Sequence, residues 1–384
     1  MEPQIDRLRG AQESPSPAPG ETGPPNLLPP SPADFPSILI GDDGLRCGWS
    51  ALLFVALYYG LTFVLDVIAL SIDPHLAEIT FSPTQTLMTE LLPVSAILVA
   101  GLVMARVEHR RLVHYNLVDP RGTKHFLQGL VAGFVVLSAL VFVLSLGGWL
   151  RFGPISLHGV AILRYGALWG CVFLLVGFFE EGSFRCYLLF TLTRGITFWW
   201  ALATVSGLCL WLLAGHGFKG AEGVMAFAVL GVAPCWLVFR SRAANSSFWQ
   251  AAWATSTAFG FFHTGNSGEN AVGVFAASLV GFIFCISVRL TGSAWWAIGC
   301  HAAWDWAETF FYGTPDSGLL PQRHLLSTTP LGNALWSGGT DGPEGSLLIL
   351  PILLLLLGAL VLVYGRGRAS SQTSKPSLPE QLSA

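Results

Sequence analysis

The chain is short of charge. Lys, Arg, Asp and Glu make up only 11% of its 384 residues, whereas 52% are hydrophobic. Soluble domains carry about 25% charged residues, so this sequence could not clothe a water-facing surface. Most of it must face lipid. Basic residues are scarce as well, 20 Lys and Arg against 23 Asp and Glu for a net charge of −3. They are scattered through short loops and form no basic face, which excludes a nucleic-acid partner. The seven cysteines show no CxxC or other metal spacing, which argues against a disulfide framework. Strand-like alternation is missing too, and this argues against an outer-membrane barrel.

What the sequence has in abundance is long apolar runs. A helix needs about 20 apolar residues to cross the hydrocarbon core. The runs predict spans at 47–71, 86–105, 125–148, 160–181, 196–214, 222–239, 249–264, 271–289, 293–312 and 346–364. Lipid offers backbone groups no partner, so each span should be helical. The expected fold is all-α: a polytopic membrane helix bundle of about eight to ten transmembrane helices with an internal polar cavity. Residues 1–44 hold 10 of the 23 prolines and no apolar period, the composition of a disordered tail. The first apolar run begins too late for a cleavable signal peptide. Residues 45–364 form the transmembrane domain, and 365–384 read as a second disordered tail.

Lysines and arginines in short loops set the orientation. Arg106, Arg110, Arg111, Arg121 and Lys124 assign the segment 106–124 to the cytoplasm. Arg185 with Arg194, Arg240 with Arg242, Arg289, and Arg366 with Arg368 fall on the same side when ten spans are counted. Both termini are then cytoplasmic. The short seventh span is the weak link in this count and could be re-entrant.

Ionisable residues within a bilayer cost about 2.5–3.5 kcal/mol each at a helix centre, so they are functional candidates by default. Glu180 and Glu181 close a long apolar run, with Arg185 following. The i,i+4 spacing stacks Glu181 and Arg185 on one helix face. Glu180 points about 100° away, free to face another helix. His263 lies in the apolar run Phe259-Gly-Phe-Phe-His263, and His301 precedes Asp305 by four residues. That second i,i+4 pair is spaced so that a carboxylate can orient an imidazole. Each signal alone is weak, because a lone apolar-helix histidine is usually a hydrogen-bonded core residue. Together they could converge on one polar cavity.

Such a set suits hydrolysis. A glutamate in apolar surroundings can act as general base on water. One imidazole can help to orient that water, and a second can hold an oxyanion. Alternatively, Glu180, His263 and His301 could ligate zinc, with an open position for water. The spacing leaves both mechanisms open, zinc-dependent and metal-free.

The three motifs, Glu180-Glu181-x-x-x-Arg185, Phe259-x-x-x-His263 and His301-x-x-x-Asp305, taken in this order within apolar helices, resemble the CAAX protease and bacteriocin-processing (CPBP, or Abi) family of intramembrane proteases, which is related to the CAAX prenyl endopeptidase. The resemblance covers roughly residues 160–312. It implies an endopeptidase that hydrolyses a peptide bond of a membrane-associated protein or peptide, a substrate that can be lipid-modified. It implies Glu180 as the general base, His263 as its partner on the water, and His301 with Asp305 as the oxyanion pair. Glu181 and Arg185 would be supporting charges. Asp305 stands where the prenyl branch usually has Asn, and Cys186 where relatives often have a small residue. Both departures point to a bacterial-type member in a plasma membrane.

Two other readings compete. A non-catalytic membrane protein, for binding, transport or immunity, could use the same cavity. The run Gly265-Asn-Ser267-Gly268 with His301 resembles the serine motif of rhomboid proteases, but it leaves Glu180, Glu181, Arg185 and His263 unexplained and reads mainly as a turn. Asp66, Glu90, Arg164 and Glu308 are read as interfacial. One conflict is built into the spans. His263 should lie toward the outer side and Glu180 toward the inner one, although catalysis needs them to be neighbours.

Overall fold

A computed structural model describes residues 39–41, 44–77, 80–216, 223, 225–226, 228–232, 246–266 and 268–373. A two-residue ribbon, β1 (Ile40–Gly41) with β2 (Gly44–Leu45), leads into α1 (Cys47–Ile72) and α2 (Pro83–Val107). Next come α3 (Gly122–Leu146), β3 (Leu150–Ile155), α4 (Val160–Thr193) and α5 (Phe198–His216). Then follow α6 (Ser246–His263), α7 (Ala271–Thr291) and α8 (Trp295–Trp306), which runs on as a π-helix over Ala307–Tyr312. β4 (Leu326–Pro330), the short α9 (Ala334–Ser337) and α10 (Ile349–Thr373) complete the chain.

The architecture is a polytopic helical membrane bundle. Among the described residues six helices are long and apolar enough to cross a membrane: α1, α2, α3, α4, α5 and α7. The apolar part of α10, Ile349–Gly365, is shorter. Their outward faces carry exposed apolar side chains such as Phe63, Val131, Leu163 and Leu355, the face a bilayer would cover. The larger count expected from apolar runs has identifiable sources. Span 222–239 falls mostly outside the described residues. Span 249–264 became α6, which is enclosed on nearly every side, from Phe248 through Thr257 and at Phe259 and Gly260. It is one unbroken helix.

The most consequential correction concerns α4. The apolar run was expected to end at Glu181. Instead the helix continues as a π-helix over Gly182–Leu188 and as an α-helix to Thr193, 34 residues in all. At 1.5 Å per residue that is about 50 Å, longer than the bilayer core of about 30 Å. Glu180 therefore sits near the middle of α4, not at its end. Arg185, assigned above to a cytoplasmic loop, is wholly buried. Sequence hydropathy counted its charge but could not see its partner. The conflict between the depths of Glu180 and His263 disappears with this extension.

Backbone-to-backbone packing fixes α8. A Cβ on Gly129 or Gly133 of α3 would overlap Trp296 O or Cys300 O of α8, and one on Gly299 would overlap Phe126 O. These small residues let the two helices touch along their main chains, the small-xxx-small device of membrane packing. One end of the bundle is tied by polar side chains. Glu108 accepts from Tyr115 Oη at 2.9 Å and Tyr187 Oη at 3.2 Å, and pairs with Arg194 at 3.3 Å. There too Asp119 accepts from Ser293 Oγ at 2.7 Å and lies 2.6 Å from His125 Nδ1. At the other end β3 pairs antiparallel with β4, which lies within the loop 313–345 and ties it to the segment after α3. These six- and five-residue strands are too short to register as alternation in the sequence.

The tail readings fall mostly outside the described residues. α10 itself runs past Gly365 to Thr373.

Candidate active site

Three helices deliver the singled-out residues to one place. Glu180 from α4, His263 from the end of α6, and His301 with Asp305 from α8 all line a cavity of about 200 Å³. Glu180 Oε2 lies 3.8 Å from His301 Nε2, and Asp305 Oδ2 lies 3.5 Å from the same nitrogen. The other ring nitrogen of His301, Nδ1, is 2.8 Å from Glu181 Oε1. The sequence offered Asp305 as the group that could orient His301. The structure adds a tighter partner, Glu181, 120 positions away.

Glu181 is the hub of this arrangement. Its side chain is fully buried and faces Arg185 Nε at 3.2 Å and Nη1 at 3.3 Å. Two ions so far from water need close compensation, since each would otherwise cost several kcal/mol. The guanidinium receives more of it from aromatic faces, with Phe259 at 4.1 Å and Phe284 at 5.4 Å from Cζ. Gly281 on α7 makes the space, because a Cβ there would overlap Arg185 Nη2. Within the π-turn the Arg185 carbonyl accepts from Asn116 Nδ2 at 2.8 Å. Helices that switch from α to π often do so at functional sites. Here α4 and α8 both switch, directly after Glu181 and directly after Trp306.

His263 is held by its own helix, with Nδ1 donating to Phe259 O at 2.9 Å. With the proton on Nδ1, Nε2 carries a lone pair. Glu180 Oε2 is buried and has no hydrogen-bond partner among the described residues. Both groups thus offer acceptor sites within one cavity.

Other carboxylates share the space. Glu90 of α2, read above as interfacial, lines the cavity, as do Asp316 and Glu344 from the loop 313–345. No Lys or Arg is among the lining residues. Asp316 accepts from Thr309 Oγ1 at 2.7 Å. Burial pushes its carboxyl above the ordinary range, and it pushes Glu344 and Glu269 up as well. Asp341 is raised to about 8, by burial first and then by the charge of Glu269. Nothing in the sequence marked Asp316 or Glu344, because a polar residue in a polar loop carries no local signal. Glu308 is buried and accepts from Trp304 Nε1 at 3.2 Å. Ser267, the residue of the rhomboid reading, lies outside the described residues.

Among the described residues no three His, Cys, Asp or Glu side chains are arranged to hold a metal ion. Glu180, His263 and His301 share the cavity as lining groups and do not form a ligand cage.

Comparison with known proteins bears on this geometry. Residues 239–307 match the family model described as Type II CAAX prenyl endopeptidase Rce1-like. The CAAX protease likeness is shown there. This CAAX-protease-like segment contains His263, His301 and Asp305, whereas Glu180, Glu181 and Arg185 lie outside it. The first motif is therefore joined to the other two by three-dimensional proximity, through the 2.8 Å contact between Glu181 and His301. No curated protein matches the chain, and no solved structure does.

Proposed function

We propose that the chain is an intramembrane endopeptidase that hydrolyses a peptide bond of a membrane-associated protein or peptide, with Glu180 activating the water. One observation carries the reading: Glu180, His263 and His301, from three separate helices, line one cavity of about 200 Å³. Water has two protons to donate. A molecule between Glu180 Oε2 and His263 Nε2 would give one to each acceptor, which leaves an oxygen lone pair for a carbonyl carbon. Glu180 takes the proton as the bond forms and returns it to the leaving amine, the ordinary duty of a general base.

His301 suits the other half of the step. Its Nδ1 proton is given to Glu181, so Nε2 is the atom presented to the cavity. Nε2 faces oxygens of Glu180 and Asp305. Two carboxylates and a lone pair would repel one another, so a proton belongs on Nε2 or is shared with a carboxylate. An Nε2–H is a donor for a developing oxyanion. Glu181 and Arg185 then act as positioning residues, fixing the imidazole through a buried ion pair. Among the described residues no three donor side chains form a ligand cage.

The likeness to the Rce1-like family supports the protease reading, and the substrate class is a membrane-proximal peptide whose lipid modification is left open. The test uses purified protein in lipid with lipid-proximal peptides. Glu180→Gln and His263→Ala should each abolish cleavage while thermal unfolding is retained. Undiminished turnover in both variants would overturn the roles given to Glu180 and His263, and no cleavage by the wild type would return the chain to a non-catalytic binding or transport role.

A further inference from the structure

Away from the cavity, a groove of about 830 Å³ runs between α3 and α10. Its walls are apolar, with Leu127 and Val131 on α3 and Leu356 and Val363 on α10. At its mouth stand Arg121, the N-cap residue of α3, and Lys124 in its first turn. Both side chains are exposed, and among the described residues neither makes an ion pair. The neighbouring acid, Asp119, is turned to other partners and pairs with neither side chain. Asp119 is occupied by Ser293 Oγ at 2.7 Å, by the Arg121 N–H at 2.8 Å and by His125 at 2.6 Å. The α3 N-terminus has no side-chain cap, and although its Gly122 N–H is bonded to Asp119 O at 3.0 Å, the positive end of the helix dipole lies at the mouth.

We propose that this groove binds one anionic glycerophospholipid, with the phosphate between Arg121 and Lys124 and an acyl chain along α3 and α10. Shape and charge are complementary to that molecule in the same order, cation first and then a long apolar trough. Basic pockets between membrane helices hold acidic headgroups for this reason. A neutral-headgroup lipid would gain the trough and not the charge. Free phosphate would gain the charge and not the trough.

The test is lipid retention by the full-length protein in detergent, read by native mass spectrometry. The probes are phosphatidylglycerol and phosphatidylcholine of identical chains, and inorganic phosphate. The wild type should retain phosphatidylglycerol over phosphatidylcholine. In the double variant Arg121→Gln/Lys124→Gln that preference should fall roughly 30-fold, the size two surface cations give together. Ala359→Trp, which fills the exposed trough without touching the charges, should reduce retention of both lipids. Millimolar inorganic phosphate should displace neither. Equal retention of the two lipids by the wild type, an unaltered preference in the double variant, or displacement by phosphate would each overturn the proposal. If the double variant fails to fold, the Ala359→Trp result decides.

Discussion

His301 Nδ1 and Glu181 Oε1 are 2.8 Å apart, and this contact joins α8 to α4 at the level of the cavity. Glu181 serves two partners at once, since Arg185 holds its other side. The consequence is that the three residues stand or fall together.

Glu181→Ala should therefore destabilise the protein by about 3–5 kcal/mol, because it leaves the Arg185 guanidinium buried without a counter-ion. The pair is fully enclosed, so solvent screening does not soften the loss. The double variant Glu181→Leu/Arg185→Met should recover most of that stability and remain inactive, since His301 would lose its orienting acceptor. Thermal unfolding in detergent, read beside peptide cleavage, separates the two effects. A Glu181→Ala protein as stable as wild type would contradict this account of the ion pair.

Packing between α3 and α8 offers a second test. Gly133→Val puts a side chain where Cys300 O already lies. Overpacking of this kind typically costs about 1–3 kcal/mol, and main-chain atoms cannot step aside as a side-chain tip can. The unfolding temperature should drop. Activity should drop with it, because α8 carries His301 and Asp305. Gly207→Ala, whose Cβ would meet nothing within 4 Å, should leave both unchanged.

The loop 313–345 and its neighbour Glu269 make stability depend on pH with a definite sign. Asp341 is raised to about 8, and Glu269, Asp316 and Glu344 move in the same direction. An acid whose folded-state pKa lies above its unfolded value favours folding while it is protonated. That stability is fully present below about pH 4 and is lost as pH rises toward 8. Unfolding temperature should therefore decline over this window. Asp341→Asn should flatten the decline and raise the unfolding temperature at pH 8. A profile that instead rises across the window would refute the assignment.

The polar knot at the opposite end gives a contrasting expectation. Glu108 accepts two tyrosine hydroxyls and pairs with Arg194. Glu108→Ala should cost about 1–3 kcal/mol, the penalty for stranding buried donors. Cleavage by the folded fraction should be unaffected, since none of these groups lines the cavity. Specific activity corrected for folded protein is the measurement that decides it.

Local spacing revealed the two i,i+4 pairs, Glu181 with Arg185 and His301 with Asp305, because a helix turn is a short-range fact. It did not reveal where α4 ends. An arginine after an apolar run looks like a loop charge unless the acid and the aromatic rings that surround it are known. Asp316 and Glu344 escaped notice, and Glu90 was read as interfacial, for a related reason. They reach the cavity from an early helix and a late loop, and only tertiary structure joins those segments. The π-turns after Glu181 and Trp306 have no composition of their own. The family likeness, confined to residues 239–307, likewise covers two motifs and leaves the first to geometry.

α6 carries His263, yet Gln250, Thr255, Ser256 and Thr257 are buried along it and it is not among the helices apolar enough to cross a membrane alone. Such a segment gains too little from lipid to settle there by itself during synthesis. It needs a berth already made by its neighbours, and α7 is translated after it. Maturation would then hinge on a docking event that follows synthesis of α7, with His263 seated only once that berth exists.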